Sequence, residues 1–119
     1  MKSKWIEHKG VRIQYADYTG FRGDLKGLKA EVEYASSQTL REPLNSVLSL
    51  VNVTDTIGTE EIVEYLKHAA ARTKPYIRKM AIVGVQSYKR ILLRAVVDFT
   101  GQDIKPFGTL EEAKDWLVQ

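Results

Sequence analysis

The sequence predicts an α/β fold, in which a mostly parallel five-stranded sheet carries an N-terminal β-hairpin and about four helices. Short β-rich apolar runs, centred on residues 47–53 and 80–85, alternate with segments whose apolar residues recur at helical spacing. Strands that alternate with helices are typical of parallel sheets joined by right-handed crossovers. The chain has 119 residues, and this length suits one domain, residues 1–119, with its own hydrophobic core.

The first third of the chain predicts a hairpin followed by a helix. Residues 5–8 and 11–16 have the pattern of strands, and the turn signal between them ends in Gly10. Asp24 is a candidate N-cap, because apolar residues recur at helical spacing directly after it. Pro43 ends this helical segment, since proline disfavours helical geometry in the residue before it.

The middle of the chain predicts two buried strands around a second helix. Residues 47–53 are apolar at all but two positions, which indicates a central strand covered on both faces. The helical stripe that follows is broken near Pro75. Residues 80–85 then form a second continuous apolar strand, so the two runs predict neighbouring parallel strands.

The last third predicts two helices and an edge strand. Ser87 is the expected N-cap of a helix over residues 87–99. Pro106 places the short strand after it at an edge, because proline lacks the amide that a central strand must donate. Thr109 and Glu112 form a capping box that begins the final helix.

Composition excludes several classes of site. The chain has no cysteine, so disulfides, thiolate metal sites and cysteine nucleophiles are ruled out. The two histidines, His8 and His68, fall in different predicted elements, and we expect neither a metal site nor a cofactor. No run approaches the roughly 20 apolar residues of a membrane span, and the N-terminus lacks the apolar core of a signal peptide. A cytoplasmic location is therefore expected.

The charge pattern does not favour nucleic-acid binding. The net charge is only +3, and acidic residues are interleaved with basic ones along most of the chain. Basic residues concentrate at 67–79, mostly at the end of the second predicted helix, where cations complement the helix dipole. We interpret this cluster as a solvated helix end.

Polar residues follow three predicted strands at the points where those strands end. Because the carboxyl ends of parallel strands meet at one edge of a sheet, these residues are expected to form a binding edge. The helix after the last of these strands adds aromatic and cationic groups to the same edge. The candidate residues are Asp17, Tyr18, Asp55, Thr56, Ser87, Tyr88, Lys89 and Arg90. The competing interpretation is that the Asp and Thr side chains only satisfy free helix amides.

No catalytic residue is predicted. Asp17 and Asp55 could meet as a carboxylate pair that shares a proton, but no nucleophile–base pair, phosphate loop or metal-ligand spacing accompanies them. The pattern therefore favours a non-enzymatic binding or regulatory module.

The helix at 87–99 carries a wider apolar stripe than one buried face needs. Leu93 and Val97 lie beside the core positions Leu92 and Val96. Three interpretations remain open: burial between the sheet and a neighbouring helix, packing on a second copy of the chain as a homodimer, or the lining of a pocket for an apolar ligand.

Several short motifs occur in an order that resembles the STAS/SEC14-like family, the SpoIIAA-like small domains related to anti-sigma-factor antagonists. The landmarks are Asp17-Tyr18-Thr19-Gly20, the strand end at Val53 and Asp55, the run from Lys74 to Lys79 before Ala81-Ile82-Val83-Gly84, Lys89 and Arg90, Phe107-Gly108-Thr109, and Glu112, Ala113, Trp116 and Leu117. The resemblance covers essentially the whole chain and implies a STAS-type fold.

The resemblance also implies a function. In the antagonists of sporulation control, a serine in an Asp-Ser-Ser-Gly turn is phosphorylated by a partner kinase. Here the turn reads Asp55-Thr56-Ile57-Gly58, so Thr56 is the candidate phosphoacceptor and Ile57 departs from the pattern. A protein partner, such as a regulatory kinase or an anti-sigma-like factor, is the first implication. The SEC14 side of the family implies the alternative, a carrier of a small apolar ligand or lipid.

Overall fold

The computed structural model describes residues 1–85 and 90–119, apart from the side chains of residues 91 and 92. The strands are β1 (Lys4–His8), β2 (Val11–Asp17), β3 (Val47–Asn52), β4 (Ile77–Val83) and β5 (Ile104–Phe107). The helices are α1 (Leu25–Thr39), α2 (Glu60–Thr73), α3 (Arg90–Thr100) and α4 (Leu110–Leu117), and a single 3-10 turn, Lys74–Tyr76, precedes β4. The elements follow one another in the predicted order. Ser87, Tyr88 and Lys89, named above as candidate site residues, lie outside the described residues.

The five strands form one mixed sheet in the order β1-β2-β3-β4-β5. The pair β1–β2 is antiparallel, and β2–β3, β3–β4 and β4–β5 are parallel. The prediction of a mostly parallel sheet is thus corrected to a mixed one. The cause is the tight turn at Lys9 and Gly10, both with positive φ, which reverses the chain within two residues and forces antiparallel pairing.

The helices divide unequally between the two faces of the sheet. Successive right-handed crossovers between adjacent strands place their helices on the same face. Accordingly α1 packs on α2 and α2 packs on α3, whereas α4 packs on β3, β4 and β5 from the opposite side. The sheet therefore lies between a layer of three helices and a single helix.

Strand β3 shows how this arrangement distributes side chains. Leu48 and Leu50 pack in the cluster with Leu117 of α4, while Val51 packs among the helices of the other layer. Because side chains alternate along a strand, the two faces of β3 are covered by different helices. The predicted burial of this strand on both faces is confirmed.

Three of the helices begin with an N-cap residue whose side-chain oxygen accepts a hydrogen bond from an amide of the first turn. Asp24 Oδ1 accepts a hydrogen bond of 2.9 Å from the amide of Gly27, and Thr109 Oγ1 accepts one of 3.2 Å from Glu112. These two predicted N-caps are confirmed. Thr59 caps α2 in the same way through the amide of Ile62, at 3.2 Å.

Candidate functional site

Strands β2 and β3 end in the same local turn. Asp17 Oδ1 accepts hydrogen bonds from the amide and hydroxyl of Thr19, at 3.1 and 2.6 Å. Asn52 Oδ1 accepts the equivalent pair from Thr54, at 3.1 and 2.7 Å. Each side chain replaces the backbone partners that the strand loses where it ends. Asp17 is thus occupied in closing its own strand.

The two loops that follow, residues 17–22 and 52–57, are here called the strand-end loops. They run side by side and continue the parallel pairing of β2 with β3. Four backbone hydrogen bonds of 2.9 to 3.1 Å join them: Tyr18 N to Asn52 O, Gly20 N to Thr54 O, Arg22 N to Asp55 O, and Ile57 N to Arg22 O. These four loop amides therefore donate their hydrogen bonds within the protein.

Thr56 links the strand-end loops through its side chain. It is only 5% exposed, its hydroxyl donates to the carbonyl of Tyr18 at 2.5 Å, and the same oxygen accepts from the amide of Phe21 at 3.2 Å. A kinase acting on this hydroxyl would need both contacts to break and the turn to open. In the described conformation Thr56 has a structural role, and its phosphorylation stays a prediction.

The two carboxylates proposed as a proton-sharing pair have separate cationic partners. Asp17 lies 3.6 Å from Lys2 Nζ, and Asp55 lies 3.2 Å from Arg22 Nε. Burial raises the pKa of Asp17, but the hydrogen bonds from Thr19 and the charge of Lys2 outweigh it and hold the pKa below its usual value. A carboxylate stabilised in its ionised form is poorly suited to hold a shared proton.

The end of β4 lies closely against the strand-end loops. Gly84 has φ of +92°, and a Cβ atom there would lie 2.5 Å from the amide nitrogen of Thr54. Only glycine fits this position without displacing the backbone. The described part of the predicted binding edge thus consists of Asp17, Tyr18, Asp55 and Thr56, with Arg90 exposed at the first position of α3.

A cavity of about 140 Å³ lies between the sheet and helices α1, α2 and α3. We call it the helix-side cavity. Its sheet wall comes from β2, β3, β4 and β5, and its roof comes from the inward stripes of the three helices. Its lining includes Gln14, Ala16, Tyr18, Ala35, Ser36, Ser49, Val51, Leu66, Ala69, Met80, Ile82, Leu93 and Val96. None of the described lining residues carries a charge.

The wide stripe of α3 faces the protein interior. Leu93 lines the helix-side cavity, and Val97 packs beside it against a cluster that contains Val63 of α2 and Ile104 of β5. Both side chains are half-buried within the chain. This arrangement agrees with two of the three interpretations, burial under a neighbouring helix and the lining of a pocket, while packing on a second copy stays a prediction.

Polar residues among the cavity walls were not singled out from the sequence. Gln14 is 1% exposed, Ser49 4% and Ser36 6%. The carboxamide nitrogen of Gln14 donates to Gln38 Oε1 at 3.1 Å. A sequence signal exists for Ser49, which is a polar residue inside the apolar run 47–51. Gln14 gives no such signal, because residues 11–14 alternate apolar and polar and this pattern is typical of a strand with one solvent-facing side.

Tyr18 is a candidate residue of the binding edge that the structure places in the cavity wall. Burial strongly raises the pKa of its hydroxyl, and the negative charges of Glu31 and Glu33 raise it further. Tyr18 is therefore uncharged at neutral pH. Tyr18 thus adds no charge to the cavity wall.

The helix-side cavity departs from the close packing of a protein interior. Interiors normally have few voids larger than a water molecule, whereas this cavity has a volume of about 140 Å³ and is only partly enclosed. A molecule that bound in it would gain contacts with the wall and would stabilise the folded state by binding to it.

Neither the family models, nor the curated proteins, nor the solved structures contain a match to this chain. Within the described residues, no group of three or more His, Cys, Asp or Glu side chains is placed to hold a metal ion. Over the same residues, no helix has both the length and the apolar character needed to span a membrane. The helix-side cavity and the strand-end loops are the candidate functional features of the described residues.

Proposed function

We propose that this chain is a non-enzymatic binding module that holds a small apolar ligand in the helix-side cavity. The observation that carries the proposal is a cavity of about 140 Å³ between the sheet and three helices, whose described lining residues carry no charge. Apolar side chains form most of its wall, and such a wall favours a ligand whose transfer from water releases hydrophobic free energy.

The size of the cavity sets the size of the ligand. An engineered cavity of about 150 Å³ lined by Leu, Ile and Phe stays dry and binds benzene or xenon. The helix-side cavity is nearly as large, so a molecule of about the size of benzene fits it without rearrangement. Such a ligand would also restore the dispersion contacts that the walls lack on their open side.

Membership of the STAS/SEC14-like family is part of the same proposal. The element order that the resemblance implies is the order in the structure. The SEC14 side of that family implies a small apolar ligand, and the presence of the helix-side cavity supports this part of the proposal. The cavity itself is the stronger support, because it does not depend on the resemblance.

The experiment is a benzene titration followed by NMR and by thermal unfolding. Wild-type protein is expected to bind benzene saturably, with shifts confined to cavity-lining methyl groups and a raised Tm. Ala69→Leu places three more carbon atoms against the cavity and should abolish binding. Ala71→Leu is the matched control, because Ala71 lies two residues along the same helix and is exposed.

Two results would contradict the proposal: wild-type protein that shows no saturable shift, or an Ala69→Leu variant that binds benzene as wild type does. A native mass spectrum of the protein purified from its own cells tests the natural ligand. A small noncovalent increment that is missing from Ala69→Leu would support the proposal.

A second candidate function is docking of a protein partner at the strand-end loops. The specific observation is Ile57, a large apolar side chain that is 49% exposed beside the ion pair of Arg22 with Asp55. The hydrogen bonds between the strand-end loops, including that of the Ile57 amide to the Arg22 carbonyl, hold the backbone of Ile57 in place. A phosphate on Thr56 would change the charge of the same surface.

The test of the second candidate is co-purification from the native cells, with quantitation of each bound protein. Ile57→Glu should lose any partner that docks at the strand-end loops. Leu44→Glu is the control, because Leu44 is 68% exposed in a different part of the chain. Equal recovery of every partner by both variants would sink this second candidate.

A further inference from the structure

We propose that the natural ligand is a neutral amphiphile: a small apolar body with one uncharged hydrogen-bonding group, held by Ser49 with Gln14 and Ser36. The inference rests on the proposed function and names the chemical class of the ligand. Its basis is a polar cluster, defined here as the three buried side chains Gln14, Ser36 and Ser49 of the cavity wall.

The sheet brings the first two side chains together. Gln14 of β2 and Ser49 of β3 are direct partners in the parallel register, so their side chains leave the same face of the sheet on neighbouring strands. Ser36 comes from α1, the helix that packs on β2. All three line the helix-side cavity, and each is more than nine-tenths buried.

The hydrogen bonds within this cluster leave capacity for a ligand. The Gln14 carboxamide donates to Gln38, which leaves its oxygen as an acceptor. Across residues 1–85 and 90–119, the hydroxyls of Ser36 and Ser49 make no side-chain hydrogen bond. Among the described residues, the one fully buried polar side-chain atom without a partner is Gln102 Oε1, so the two hydroxyls and the Gln14 oxygen are accessible at the cavity wall. A ligand group that both donates and accepts can therefore bond to them.

The rest of the cavity defines the remainder of the ligand. Beyond the polar cluster the next residues on the same face are Ala16 of β2, Val51 of β3 and Ile82 of β4, which form an apolar row across the sheet. Leu66 and Leu93 extend this surface from α2 and α3. A charged ligand would lose its hydration with no opposite charge in the described wall, so the ligand must be neutral.

Three test ligands of similar size are compared at pH 7: apolar benzene, phenol with one neutral hydroxyl, and negatively charged benzoate. Ser49→Ala removes one hydroxyl from the cluster and keeps the strand. It is expected to weaken phenol binding relative to benzene binding by about threefold to tenfold, the range for one hydrogen bond. Ser49→Thr keeps the hydroxyl and should keep the wild-type ratio. Benzoate should not compete with either ligand.

A control outside the cavity tests whether the effect of Ser49→Ala is specific. Ser37→Ala removes a hydroxyl of α1 that lies outside the described cavity lining, and it should leave the ratio of phenol to benzene affinity unchanged. If Ser49→Ala alters that ratio no more than Ser37→Ala does, the inference is wrong. Competition by benzoate would also overturn it, because the cavity would then accept a charge.

Benzene binding distinguishes failure of the proposed function from failure of the amphiphile inference. If benzene binds and Ser49→Ala has the wild-type ratio of phenol to benzene affinity, the amphiphile inference is wrong and the proposal of an apolar site is unaffected. Failure of benzene and phenol to bind at all overturns the proposed function, and the amphiphile with it.

Discussion

The two faces of the sheet are both covered by helices, but they are packed differently. On the α4 side, Ile13, Leu50 and Ala81 of adjacent strands meet Ala113 and Leu117, and all five are essentially inaccessible to solvent. On the side of the three helices, the same strands present Gln14 and Ser49 to a cavity of about 140 Å³. Because side chains alternate along a strand, neighbouring residues of β2 and of β3 face a filled core on one side of the sheet and an open cavity on the other.

The difference indicates a division of roles within a small protein. The α4 face provides close-packed apolar burial, which is the main source of folding free energy. The three-helix face leaves part of its wall without such close-packed contacts, at the helix-side cavity. Three predictions can break or sharpen this comparison.

The largest effect is expected from Leu50→Ala, on the filled face. Leu50 is fully buried, so its truncation should lower the free energy of unfolding by about 3 to 5 kcal/mol. Leu66→Ala, on the cavity wall, removes a half-buried side chain and should cost about 1 to 2 kcal/mol. Urea unfolding followed by circular dichroism measures both. Equal losses would mean that the two faces are packed alike.

An intermediate effect is expected when a small residue is enlarged. Ala113→Leu adds three carbon atoms to the filled face and should destabilise the protein by about 1 to 3 kcal/mol through overpacking. Ala69→Leu adds the same atoms beside the cavity, and its stability should stay within about 1 kcal/mol of wild type. The same unfolding assay decides. Ala69→Leu as unstable as Ala113→Leu would show that the cavity has no room.

The smallest effect is electrostatic and lies at the end of β2. The folded-state pKa of Asp17 is lowered, so its ionised form contributes stability that is complete above the ordinary carboxyl pKa of about 4 and is lost as pH falls through the lower folded-state value. Asp17→Asn should therefore cost less than about 1 kcal/mol at pH 7, and the gap from wild type should close below about pH 4.

Urea unfolding of the Asp17 variant at pH 7 and at pH 3 measures this gap. Asp103→Asn, at an exposed position before β5, is the control for the substitution itself. A gap that widens toward low pH would contradict the lowered pKa.

Local patterns were sufficient to predict the elements of this fold. Apolar periodicity predicts β3 as a strand buried on both faces, and the caps at Asp24 and Thr109 lie where short-range chemistry predicts them. The predicted N-terminal hairpin, with its turn at Gly10, is also confirmed. Its antiparallel pair makes the sheet mixed, whereas the alternation of strands with helices predicts a mostly parallel sheet.

The candidate site was harder to predict because it depends on contacts between distant residues. Thr56 resembles a surface hydroxyl in a turn, yet its bonds to Tyr18 and Phe21 come from a loop more than thirty positions away in the chain. The helix-side cavity is a volume that remains after many side chains have packed, and no single residue encodes it. Ser49 was the available clue, as a polar residue inside the apolar run 47–51.

The hydrogen bonds between the strand-end loops have a consequence for hydrogen exchange. Loop amides normally exchange with solvent deuterium quickly, because local opening costs little. Here the amides of Tyr18, Gly20, Arg22 and Ile57 are bonded across the two loops as in a sheet, so they should exchange about as slowly as those of β2 and β3. A partner that bound there would meet a surface already ordered, and its binding would not be slowed by a folding step.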